Sequence, residues 1–296
     1  MKLNTIKPID SDIILVPFDF TEAAENAVEH ASLLAKLFKK KVVLLHVVEK
    51  GLFKAGTPNT LSEKETIDHL NKIAAANTQS TQLTTTAEIR SGNLFDVISE
   101  TAEELNASVV VMGTHGVTGM QHITGSKALK VITNSERPFV VVQKKDVRQH
   151  GYKNIVLPFD FSKETKQKLV WAVELSKVFN STFHILAAFE DDEYTSKAVA
   201  NNLAYARNYL KTRNCEFEVT MAEKGDFAKE TIRFASGVEA DLIIIMTNQG
   251  KSLSEFIIGA YEQNVIANDA QIPVMTLNPV DNMTTANGHL FNFGNF

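Results

Sequence analysis

Two stretches of this chain repeat each other. Leu15-Val16-Pro17-Phe18-Asp19-Phe20-Thr21 returns as Val156-Leu157-Pro158-Phe159-Asp160-Phe161-Ser162. The correspondence continues: His46-Val47-Val48-Glu49 with Ala187-Ala188-Phe189-Glu190, Arg90-Ser91-Gly92-Asn93 with Glu223-Lys224-Gly225-Asp226, and Arg137-Pro138-Phe139-Val140 with Ile272-Pro273-Val274-Met275. The period is about 140 residues, long enough for each unit to bury a core, so the units read as domains rather than solenoid turns. The polar join near Asp146 to Tyr152 divides the chain into 1–148 and 149–280. Residues 281–296 have no periodicity and read as a tail whose Phe291, Phe293 and Phe296 could dock on a surface.

Each unit alternates strand and helix. In the first, apolar runs at Ile13 to Phe18, Val42 to Val48, Val109 to Met112 and Pro138 to Val142 read as buried strands, with a less apolar strand at Thr84 to Arg90. Between them, Ala24, Val28, Ala31 and Leu34, then Ile67, Leu70 and Ile73, then Val97, Ile98, Ala102 and Leu105 recur at helical spacing. Thr21 is a fair N-cap. Connections of this length permit parallel pairing, so the class is α/β.

The stretch most open to a ligand is 109–126. A buried strand delivers a loop holding Gly113, Gly116, Gly119 and Gly125 to the edge of a sheet, and a helical pattern begins at Gly125-Ser126. Glycines allow positive φ and close approach of a ligand to the backbone. A helix start presents unpaired N–H groups that suit an anion, above all a phosphate. The same glycines also serve tight turns, and spacing alone leaves both readings open.

Composition narrows the classes. The chain has 296 residues, 44% of them apolar and 22% charged, as in a soluble globular protein. A net charge of −5 gives no overall attraction to nucleic acid or acidic lipid. A single cysteine, Cys215, excludes an internal disulfide and reads as a packing residue in a reducing compartment. The N-terminus lacks a signal-peptide core and no apolar run would span a bilayer, so a cytoplasmic protein without membrane contact is expected. No histidine pair has metal-ligand spacing, and no nucleophile–base pair is visible; no metal and no catalytic residues are expected.

Both units resemble the universal stress protein family, together in its tandem form. The resemblance rests on Pro17-Phe18-Asp19-Phe20-Thr21, on Leu45-His46-Val47-Val48, and on Met112-Gly113-Thr114-His115-Gly116 with Gly125-Ser126. The family's ATP-binding members carry G-x2-G-x9-G-[S/T]; here residues 117–124 leave the loop one residue short. The resemblance implies two tandem open parallel five-stranded sheets, order 3-2-1-4-5, with helices on both faces and a ligand beyond strands one and four, where the winding reverses. It implies ATP or another adenine nucleotide, with or without magnesium. Asp19 and the backbone of Val47 would face adenine, with Pro17 shaping that wall. Met112 and Gly113 would lie against ribose; Gly116, Gly125, Ser126 and the Lys127 N–H would hold phosphates. It further implies an intramolecular pair of domains packed through Phe139–Gln143 and Val274–Leu277, room for a homodimer, and an unidentified regulatory protein partner.

Other readings stand beside these. Asp19 can instead brace the turn before the first helix, as Asp160 can in the second unit. Met112 suits the core, and His46 suits a hydrogen-bonded interior. In the second unit Thr247 replaces the first loop glycine, Ala260 replaces Ser126, and Glu255 would repel phosphate, so that site reads as degenerate. The function expected is an ATP-binding stress-response module with at most slow, incidental hydrolysis. The alternatives are a scaffold with two degenerate pockets, or an adenylating or pyrophosphatase-type enzyme.

Overall fold

A computed structural model describes residues 12–48, 63–114, 131–132, 135, 137–247 and 259–279. In the first half, strands β1 (Ile13–Pro17), β2 (Lys41–Val48), β3 (Thr85–Ser91), β4 (Val109–Gly113) and β5 (Phe139–Val142) alternate with helices α1 (Glu22–Phe38), α2 (Glu63–Thr81) and α3 (Leu94–Glu104). The second half runs β6 (Asn154–Phe159), a 3-10 turn (Lys163–Gln167), α4 (Lys168–Phe179), β7 (Thr182–Ala187), α5 (Glu193–Lys211), β8 (Glu216–Met221), α6 (Phe227–Gly237), β9 (Leu242–Met246), α7 (Ala260–Ile266) and β10 (Val274–Leu277).

Local chemistry sets the helix starts. The Thr21 hydroxyl accepts from the Ala24 N–H, and Asn93, Asp192 and Asp226 cap α3, α5 and α6 through their side-chain oxygens. Lys39 ends α1 in the left-handed region at φ 55°.

Each half contributes five parallel strands in the expected order, but the two sheets are one. The ten strands run β3-β2-β1-β4-β5-β10-β9-β6-β7-β8. The halves meet where β5 and β10 pair antiparallel, Val141 opposite Val274 and Phe139 opposite Thr276. The reason is physical: β5 is fully buried and apolar, and an open edge of that kind needs a partner. Separate sheets are thus replaced by one twofold-like sheet whose outer edges are β3 and β8.

Alternation along the strands separates two layers. One face carries α1, α2, α4 and α5, and its core runs unbroken across the seam through Leu34, Val140, Trp171 and Met275. The other face carries α3, Val131, Ile132, α6 and α7. The join between the halves is pinned. The Asp241 carboxylate, 3% exposed, accepts from the Lys153 and Asn154 N–H groups at 3.0 and 2.8 Å and pairs with Arg148 at 3.2 Å. Gly151 takes φ +66° beneath the Phe179 ring, where a Cβ would lie 2.2 Å from a ring carbon. Across the seam, the buried His30 ring meets the Tyr152 hydroxyl at 2.7 Å and the Lys145 carbonyl at 3.3 Å. The carbonyl can only accept, so Nε2 carries the proton and Nδ1 accepts from Tyr152.

Candidate functional site

The strand order reverses direction between β1 and β4, and a ligand crevice in such a sheet opens beyond their carboxyl ends. Leu15 stands beside Val110, and the same register carried forward brings Pro17 beside Met112. Pro17 is buried, and Phe18 donates to the Leu45 carbonyl at 2.8 Å as the last link between β1 and β2. Main-chain groups in a parallel strand alternate sides. Val47, two residues after Leu45, therefore turns its N–H and C=O toward the β1 side, past the end of that strand.

Asp19 is exposed at this opening. Its Oδ1 accepts from the Thr21 N–H at 3.2 Å and the Thr21 hydroxyl at 2.6 Å. That hydroxyl in turn caps α1, so Asp19 braces the turn through one oxygen while the residue remains at the surface. Phe20, at φ 63°, folds its ring inward: edge-on to Phe18 at 5.3 Å and stacked on His69 at 5.0 Å. His46 Nδ1 donates to the Phe18 carbonyl at 2.8 Å, which fixes the tautomer of this partly buried histidine.

Two residues sit differently from a simple ligand wall. The Met112 side chain is 1% exposed and belongs to the core of the α3 face. Gly113 does not have positive φ; it is the last residue of β4. A Cβ there would lie 2.2 Å from the Ala23 carbonyl oxygen and 2.7 Å from the Ala24 nitrogen. Its bareness lets the first turn of α1 rest on the strand. Gly116, Gly125, Ser126 and Lys127, with His115, Gly119 and His122, lie outside the described residues. Among the described residues, no group of three or more His, Cys, Asp or Glu side chains could hold a metal ion, and no helix is long and apolar enough to cross a membrane.

The sequence profile of the universal stress protein family matches residues 11–143 and again residues 151–278. The chain belongs to the universal stress protein family. A curated relative, universal stress protein MJ0531 of Methanocaldococcus jannaschii, is 33% identical over 142 residues, covering 44% of this chain and 81% of that protein. A universal stress protein structure from Archaeoglobus fulgidus DSM 4304 superposes with a TM-score of 0.71 at 20% identity, over 91% of this chain and 99% of that one. A functionally unknown protein, PA1789 of Pseudomonas aeruginosa PAO1, gives 0.65 at 15% identity over 93% and 95%. At these identities the two structures speak for the fold alone.

The second half of this universal stress protein arranges the matching crevice differently. Asp160 repeats the Asp19 turn, its Oδ1 accepting from the Ser162 N–H and hydroxyl at 3.1 and 2.8 Å. Thr247 stands where Gly113 stood, 1% exposed, with its hydroxyl donating to Asn278 Oδ1. A side chain at this place coincides with a thinner 3-10 first turn, which packs against β9 in place of an α-helical one. Lys168 occupies the place of the buried Ala27. Its Nζ donates to the Pro158 carbonyl and lies 4.9 Å from the Phe159 ring centroid. Burial pulls this ammonium down to about 8, against the opposing pull of Asp160. At the start of α7 the buried Glu262 carboxylate folds back over Gly259, with Oε2 2.3 Å from where a Cβ would stand. A protein carboxylate thus covers the helix start that matches Gly125-Ser126. Sequence reading singled out Glu255, which lies outside the described residues, and missed Lys168 and Glu262. Glu262, three residues after Gly259, supplies only the glutamate half of a capping box, since glycine has no side chain to cap with.

Proposed function

We propose that this universal stress protein is an adenine-nucleotide-binding regulatory module of the stress response, holding ATP or another adenine nucleotide in its first half while the second half serves as scaffold. The contrast between the two crevices carries the reading. In the first, Asp19 is exposed and Val47 turns main-chain donor and acceptor groups toward the same opening. In the second, the buried Glu262 carboxylate lies over the matching helix start. A carboxylate that accepts from an exocyclic amine, beside a strand that offers both N–H and C=O, suits the edge of adenine. The glycines and Ser126 of the first loop, with the Lys127 N–H, are assigned to the phosphates, and any magnesium would arrive with them.

Calorimetric titration with ATP tests this. One site per chain is expected. Asp19→Asn and Gly116→Val should each weaken binding at least tenfold, and Asp160→Asn should leave it unchanged. Two sites, or none in protein freed of co-purifying nucleotide, would overturn the division of roles.

A further inference from the structure

Beneath α1 and α4 an apolar cavity of about 20 Å3 crosses the seam between the halves. Its walls come in pairs. Leu34 of α1 lines it with Leu175 of α4, and Val109 at the start of β4 with Leu242 at the start of β9. Val140 lines it with Met275, its opposite number in the antiparallel pairing of β5 and β10. All six are at most 4% exposed, so the space lies within the core. Val109 and Leu242 are the first residues of their strands, which separates the cavity from both crevices beyond the carboxyl ends.

The repeat is broken beside this space. Trp171 has the position in α4 that His30 has in α1. His30 turns its ring to the Tyr152 hydroxyl and the Lys145 carbonyl, whereas Trp171 lines the cavity. Packed interiors leave few voids larger than a water, and this one sits where unequal side chains meet across an otherwise twofold-like seam. Its chemistry turns polar guests away. The space exceeds the roughly 10–15 Å3 that one water needs, but a buried water also needs several polar partners. Of the hydroxyls on the wall, that of Ser108 donates to the Ile13 carbonyl at 2.8 Å and that of Tyr152 to His30 at 2.7 Å. The side chains then offer at most the Trp171 indole N–H, fewer groups than a water requires. Apolar cavities of this kind stay dry and accept apolar atoms. We propose that the cavity is a binding site for a small apolar molecule without hydrogen-bonding groups, of the size of a dissolved gas. Such an occupant touches both halves at once, so its binding stabilises the seam. The site is independent of whether the first half holds a nucleotide.

Trp171 is the one tryptophan of the chain and is 5% exposed, so its emission reports on the cavity. Xenon, a heavy atom that quenches indole fluorescence on contact, serves as the probe. With the full chain under rising xenon pressure, Trp171 emission should fall along a saturating curve. Methyl signals of Leu34, Val140 and Met275 should shift in NMR spectra with the same midpoint, while those of Val43, on the opposite face of the sheet, stay in place. The urea midpoint should rise with xenon pressure. Val140→Ile and Val109→Ile each add one methyl group to the wall and should weaken the xenon response several-fold; urea titration without xenon shows that each variant is folded. Quenching that grows linearly with pressure, as at an indole in free solution, would overturn the assignment. So would a saturating response left unchanged in both isoleucine variants.

Discussion

Gln143 and Asn278 reach across the seam in opposite directions. Gln143 follows β5, and its amide donates to the carbonyls of Ile266 and Asn268, at 3.3 and 3.0 Å, at the end of α7. Asn278 follows β10, and its amide donates to the carbonyl of Ile132 at 2.6 Å and to that of Ser135. Each half thus satisfies backbone acceptors left over in the other. Asn26 holds the Gln143 carbonyl at 3.1 Å, and Thr247 holds the Asn278 side-chain oxygen.

Asn278→Ala removes a donor from two carbonyls and leaves the Thr247 hydroxyl only its longer bond to the Leu277 carbonyl, at 3.4 Å. The expected cost is about 1–3 kcal/mol, with Gln143→Ala similar, read as a lowered urea midpoint with unchanged slope. Asn278→Asp should be worse than alanine, because a carboxylate would face two carbonyl oxygens. An aspartate variant as stable as wild type would show that the amide does not bear on the seam.

Gly113→Ala places a methyl carbon against the Ala23 backbone, which cannot swing aside as a side chain can. A loss of about 1–3 kcal/mol is expected in a denaturant titration, from overpacking alone. Variants of Gly113 therefore report on α1 packing before they report on any ligand, and Gly116 is the better probe. A fully stable Gly113→Ala would contradict the close contact.

His30 gives the seam an acid sensitivity. Burial lowers its pKa from 6.5 to about 4, against smaller opposing contributions from the Lys145 carbonyl and Asp146. Between pH 6.5 and 4 the unfolded chain binds a proton that the native chain refuses. Stability should therefore fall across that window by up to about 3 kcal/mol and level off below it. His30→Gln, which does not titrate, should flatten this part of the pH profile; an unchanged slope would place the acid sensitivity elsewhere.

Lys168 acts with the same sign in an alkaline window. Its pKa is lowered from 10.5 to about 8, so below pH 8 both states are charged and the folded state bears the full desolvation cost. From pH 8 to 10.5 the native chain sheds the proton first, and stability should rise. Lys168→Met should be more stable than wild type at pH 7 by about 1–3 kcal/mol, with the gain shrinking toward pH 10.5. Thermal or urea denaturation at pH 7 and pH 10 reads this; a variant less stable at both would show that the bond to Pro158 outweighs desolvation.

Much of the architecture was legible because it is written locally. Apolar runs marked the strands, and Thr21 marked a helix start, since capping involves residues two or three positions apart. The exposed edge of Phe139–Val142 pointed to a partner, but nothing local says that the partner strand makes both sheets continuous. Gly113 read as a place where a ligand approaches the backbone because glycine spacing is visible in one dimension, whereas its contact with Ala23 is made across ninety positions of chain. Lys168 lies near Lys163 and Lys166 and reads like part of a solvated face. Only its alignment with the buried Ala27 betrays it.

The antiparallel seam joins partners that are also joined by the chain, so dilution cannot part them. In an assembly of identical subunits, any substitution at one crevice is imposed on every copy. Here the two crevices are encoded separately, and Thr247, Lys168 and Glu262 could arise on one side while Gly113 and Ala27 stayed on the other. Continuous backbone hydrogen bonding between β5 and β10 thereby permits asymmetry without loss of pairing.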